Sequence, residues 1–117
     1  MKKILVPIDF SDVSENAVTF AIDLAKKMQG ELTLYHSIHF NYFYDFQYGD
    51  YGAIASIAEE VNEDAEKRVK SFIDKLKTEL NISYIINSDS LVTAVKKLVT
   101  NEGFDLVVVG TTRALFH

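Results

Sequence analysis

Ile4-Leu5-Val6 and Ile8 form an apolar, β-branched run that stops at Asp9 and Ser11. Runs of this kind are buried on both faces, as in the central strand of a parallel sheet. The pattern predicts a strand over residues 3–9. The period then changes: Ala17, Phe20, Ala21, Leu24, Ala25 and Met28 follow helical spacing and predict a helix over 13–29. Asp12 followed by Glu15 fits a capping box, with Ser11 as the alternative cap. Gly30, behind Lys26 and Lys27, stands where a helix-terminating glycine belongs. Leu32, Leu34 and Tyr35 mark a second strand over 32–38, more polar at His36 and Ser37.

Residues 41–52 are too polar for a core strand and too aromatic for a plain solvent loop. They read as a surface loop with some self-packing. A long helix follows over 53–80. Its stripe runs Ile54, Ile57, Ala58, Val61, Ala65, Val69, Phe72, Ile73, Leu76 and Leu80, opposite a charged face. A third strand covers 82–87. Ser88-Asp89-Ser90 then caps a helix over 91–102, with Leu91, Ala94, Val95, Leu98 and Val99 inward and Gly103 ending it. Leu106-Val107-Val108-Val109 reads as a fully buried fourth strand within 105–110. The order βαβαβαβ implies an α/β fold, a three-layer open parallel sheet with helices on both faces. Pro7, the only proline, is tolerable near a strand end. Only seven residues follow Gly110. The fourth strand is therefore expected at an edge that a partner covers or that a longer chain completes.

Composition narrows the class. The 117 residues are 48% hydrophobic and 25% charged, which suits one globular domain over 1–117. A net charge of −5 disfavours nucleic acid and anionic membranes as partners, because phosphate tracks need clustered Lys and Arg. It leaves room for a mononucleotide held by backbone N–H groups. There is no cysteine, hence no disulfide and no thiolate metal site. Neither a leader nor a membrane span is legible, so the default location is cytoplasmic.

In an open parallel sheet, ligands bind outside the carboxyl ends of the strands, where strand order reverses. Here those ends contribute Pro7, Ile8 and Asp9 from the first strand and Val109 and Gly110 from the fourth. An Asp beside a glycine-bearing loop could accept from a base or sugar, or simply cap its own turn. The dinucleotide and P-loop glycine signatures are both missing. His36 and His39, three apart on a strand, point to opposite faces and do not make a metal site. His36 suits a strand-end hydrogen bond, and Ser11 and Ser14 suit caps better than nucleophiles. No nucleophile–base pair or paired catalytic acids can be named, so no catalytic residue is assigned. The aromatic segment Tyr42 to Tyr51 could be a partner surface or could pack on the domain itself.

The segments Lys2 to Ser11, Ser14-Glu15-Asn16-Ala17, Leu32 to His36 and Asp105 to Thr111 resemble the universal stress protein family across the whole chain. The resemblance implies a five-stranded, adenine nucleotide alpha hydrolase-like sheet, here lacking the fifth strand and its helix. The family divides into ATP binders and non-binders. Binders carry glycine, two residues, glycine, nine residues, then glycine and Ser or Thr. Gly110 matches the first glycine, Arg113 replaces the second, and the third would fall past His117. The resemblance also implies an adenine pocket from Pro7, Ile8 and Asp9, with Ser37 at the position where binders place an apolar residue. A chain with these departures is expected to take ATP or AMP weakly or not at all. Three roles follow: a non-enzymatic stress-response module that associates with itself or forms half of a tandem protein; an ATP switch complete only in a longer chain; and, last, a phosphoacceptor receiver. The receiver lacks an Asp at the end of the third strand, where Asn87-Ser88 stands.

Overall fold

The computed structural model describes residues 2–38 and 51–110, without the side chains of 51–58. Among the described residues, four strands, β1 (Lys3–Pro7), β2 (Glu31–Ser37), β3 (Ile82–Asn87) and β4 (Leu106–Val107), alternate with three helices, α1 (Asp12–Met28), α2 (Tyr51–Leu76) and α3 (Leu91–Glu102). The sheet is parallel throughout, in the order β3-β2-β1-β4. The α/β class and four-stranded sheet expected from the pattern are what the chain forms.

Strand alternation divides the core in two. Ile4, Val6 and Ile8 of the first strand and its extension join Leu32 and Leu34 of β2 under α1 and α2, with Val18, Ala21, Ala25 and Val69. Leu5 and Tyr35 point to the other face and meet Ala94 of α3 and Phe104. Ile4, Leu5 and Val6 have no exposed surface, so the opening run is buried on both faces as its composition demands.

Several local expectations are corrected. The cap of α1 is Ser11, whose Oγ accepts from the Ser14 N–H at 3.2 Å, and Asp12 is already the first helical residue. The left-handed residue ending α1 is Gln29, at φ 53°. Gly30 is needed for space instead: a Cβ there would stand 2.8 Å from the Lys2 carbonyl oxygen. The helix expected over 53–80 begins earlier, at Tyr51, and stops at Leu76, because Lys77 turns left-handed at φ 47°. Thr78 Oγ1 then accepts from the Leu80 N–H at 3.2 Å, so Leu80 reaches the core from a turn. Ser90 caps α3 and Gly103 ends it at φ 70°, both as the pattern predicts.

The first strand stops at Pro7 rather than residue 9, and β4 is short and open rather than fully buried. Leu106 is 37% and Val109 59% exposed, because β1 flanks β4 on one side and no strand flanks it on the other among the described residues. Phe20, Leu91 and Val99, read as inward, are exposed as well. The inward positions of α1 are instead Ala17, Val18, Ala21, Ile22 and Ala25. Period alone gives the helix but not the angle at which its stripe meets the sheet.

Candidate functional site

The chain leaves β1 through a hydrogen-bonded turn built on one carboxylate. Ile8 still pairs with the sheet, its N–H donating to the Tyr35 carbonyl at 2.8 Å. At Asp9 the direction changes. Oδ1 of Asp9 accepts from the Ser11 N–H at 3.0 Å, the Ser11 hydroxyl at 2.5 Å and the Ser14 hydroxyl at 2.6 Å. The Asp9 N–H in turn donates to Ser14 Oγ at 2.9 Å. The Ser11 hydroxyl, followed by the Ser14 hydroxyl and the Ser11 N–H, pulls the Asp9 carboxyl down to about 2. Asp9 is thus an anion held in one orientation, with the donors gathered on Oδ1. Asp9 caps its own turn, and it borders the cleft described next.

Phe10 takes a left-handed φ of 67°, rare for a bulky residue. The ring lies 4.6 Å from His36 and 6.1 Å from Phe72, with the Arg68 guanidinium 4.2 Å from its centroid. His36 Nδ1 contacts the Ile8 carbonyl at 3.0 Å. A carbonyl only accepts, so the proton sits on Nδ1. The strand-end role expected for His36 is the one it takes, while His39 lies outside the described residues.

The end of β2 is tied to the β3–α3 turn. The Tyr35 hydroxyl donates to Asn87 Oδ1 at 2.5 Å, and Ser37 Oγ donates to the Asp89 carbonyl at 2.5 Å. Burial raises the Tyr35 phenol above its ordinary value. From the fourth strand, Gly110 passes the start of α1 so closely that a Cβ would stand 2.6 Å from the Val13 carbonyl oxygen. Glycine is required there by space.

These pieces enclose a cleft of about 540 Å³ at the carboxyl ends of β1, β2 and β4. Its walls include all six residues singled out from sequence: Pro7, Ile8, Asp9, Ser37, Val109 and Gly110. The volume falls within the range of small-molecule sites, roughly 300–1,000 Å³. Ser14, Tyr35, His36 and Leu91 also line it and were missed. Tyr35 was read only as core; a hydroxyl in an otherwise apolar strand was the available signal. Leu91 carried a weaker one, an apolar residue directly after a helix cap. Arg113 and the aromatic segment up to residue 50 lie outside the described residues. Among those described, no group of three or more His, Cys, Asp or Glu side chains could hold a metal ion, and no helix is long and apolar enough to cross a membrane.

The arrangement offers an apolar floor, a fixed carboxylate acceptor, serine hydroxyls and backbone groups at a glycine. It can bind a flat polar molecule by its edge and accept from a sugar hydroxyl.

Comparison with known proteins shows the family and the fold. Universal stress protein MJ0531 of Methanocaldococcus jannaschii is 27% identical over 114 residues, covering 95% of this chain and 65% of the relative. The chain therefore spans just under two thirds of that relative's length. Universal stress protein UspA from Lactobacillus plantarum shares the fold at a TM-score of 0.69 and 21% identity, over 99% of this chain and 83% of that one. A universal stress protein family member from Burkholderia pseudomallei does so at 0.71 and 17%, over 94% and 81%. The model of the universal stress protein family matches residues 1–116, and the chain belongs to that family.

Proposed function

We propose that this chain is a non-enzymatic binding and signalling module of the stress response, cytoplasmic and self-associating, whose cleft takes the adenosine end of an adenine nucleotide. One observation carries the ligand reading. Pro7, Ile8, Asp9, Ser37, Val109 and Gly110, drawn from three separate strand ends, line a single cleft. The locked Asp9 carboxylate supplies an acceptor for an exocyclic amine or a ribose hydroxyl. Ser37 brings a hydroxyl, already bonded to the Asp89 carbonyl, where an apolar contact to a base would be stronger. Affinity is therefore weak, with a Kd on the order of 1 mM for AMP.

The second reading, an ATP switch, is favoured by Gly110, which lines the cleft and stands at the first glycine of the binders' motif. It depends on a triphosphate cradle that Arg113 interrupts. Calorimetric titration separates the two. The module reading predicts weak and similar affinities for AMP and ATP. Micromolar ATP binding with AMP at least a hundredfold weaker would replace it with the switch. Heat signals for neither nucleotide up to several times the expected Kd would remove the nucleotide from both.

A further inference from the structure

Apart from the cleft, a groove of about 410 Å³ lies between the start of α1 and the second half of α2. Two neighbouring rows of α2 line it. Lys67, Ser71 and Lys75 recur every four residues, with Arg68, Phe72 and Leu76 in the row beside them. Phe72 and Leu76 are half-buried, whereas the three cations are exposed. The groove therefore has an apolar floor and a basic rim. It shares no lining residue with the cleft.

Its charge is out of keeping with the chain. The whole carries −5, yet the groove gathers three cations and a single acid, Glu15 of α1. Surface cations on a helix commonly pair with an acid one turn away, as Lys70 does with Glu66 at 3.2 Å. Among the described residues, Lys67, Arg68 and Lys75 have no such ion pair. Asp64, one turn before Arg68, borders a neighbouring hollow with it but does not pair with it. Arg68 rests on the Phe10 ring instead, 4.2 Å from its centroid. A guanidinium stacked on a ring keeps its N–H edge for a carboxylate. Phe10 holds this place at a left-handed φ of 67°, a costly conformation that persists only where the surroundings impose it.

We propose that this groove binds an extended acidic segment of a partner protein, with carboxylates at positions i and i+4 and an apolar side chain at i+2. Length decides for a peptide over a small anion. Lys67 and Lys75 are eight residues apart, about 12 Å along the helix axis. An extended chain covers about 13 Å in four residues and turns i, i+2 and i+4 to one face. One carboxylate then meets Lys67 and Arg68, the other meets Lys75, and the apolar side chain between them lies on Phe72. The Ser71 hydroxyl can donate to a carbonyl of the segment, and the Glu15 carboxylate can accept one of its N–H groups. A single small anion would satisfy only one end. The proposal does not depend on the nucleotide cleft and gives the signalling module a class of partner.

Fluorescence anisotropy of the full chain with labelled acetyl-Glu-Ser-Phe-Ser-Glu-amide tests the proposal. Saturable binding is expected, weakened at least tenfold when both glutamates of the probe become glutamine. Arg68→Gln and, separately, Lys75→Gln should each weaken it at least fivefold. Lys70→Gln removes the same charge from a residue outside the groove and should leave binding unchanged. All three side chains are exposed, so the variants keep the fold. No binding at millimolar protein, equal binding of the glutamine probe, or equal losses with Lys70→Gln and Lys75→Gln would overturn the proposal. Displacement of the probe by equimolar free glutamate or AMP would make the groove a general anion site and overturn it as well.

Discussion

At the residue scale the account turns on Asp9. Its carboxyl lies near 2 instead of 3.8, because the Ser11 and Ser14 hydroxyls and the Ser11 N–H stabilise the anion. A folded-state value below the unfolded one means that the stabilisation is fully present above about pH 4. It is lost as pH falls through 2. Asp9 is exposed, so water screens the effect and the change in folding stability is small. The titration itself is the sharper observable: the Asp9 carboxyl carbon should show a midpoint near 2 by NMR, whereas one near 4 would mean that the serine bonds do not hold in solution. Ser14 is buried and bonds Asp9 in both directions, as donor to Oδ1 and acceptor from the N–H. Ser14→Ala should cost about 1–3 kcal/mol in chemical denaturation and raise the Asp9 midpoint. Ser11→Ala removes the helix cap and should cost about 1 kcal/mol.

Elements show what was legible in the sequence and what was not. β1 was legible because its burial on both faces leaves a continuous apolar run, and α3 because Ser90 and Gly103 bracket it with residues suited to each end. The close of α2 was not legible: Leu80 keeps the helical spacing, and only the left-handed turn at Lys77 shows that it reaches the core from outside the helix. β4 misled for a related reason. An apolar run carries no mark of whether a neighbouring strand exists to bury it, and Val109 is mostly exposed. The six cleft residues were legible because the ends of parallel strands share one rim of the sheet. Tyr35 and Leu91 were not, since their presence there depends on side-chain direction at a turn. Two glycines test the local account by different physics. Gly103 has nothing within 4 Å of an added Cβ, so Gly103→Ala should cost only the left-handed backbone term, about 1 kcal/mol. Gly110→Ala drives a Cβ to within 2.6 Å of the Val13 carbonyl and should cost about 1–3 kcal/mol while narrowing the cleft. Equal, negligible losses at both positions by denaturant unfolding would contradict the close approach at Gly110.

For the whole molecule, the sheet joins two features at one place. Val109 lines the cleft at the strand ends and also stands on the open edge of β4. The proposed function depends on the cleft being a binding site. The most direct measurement is an amide NMR map of the full chain during titration with AMP. The predicted result is saturable shifts centred on Ile8, Asp9, Ser37, Val109 and Gly110. An absence of shifts at millimolar AMP would contradict the account, as would shifts centred instead on the groove between Phe10 and Arg68.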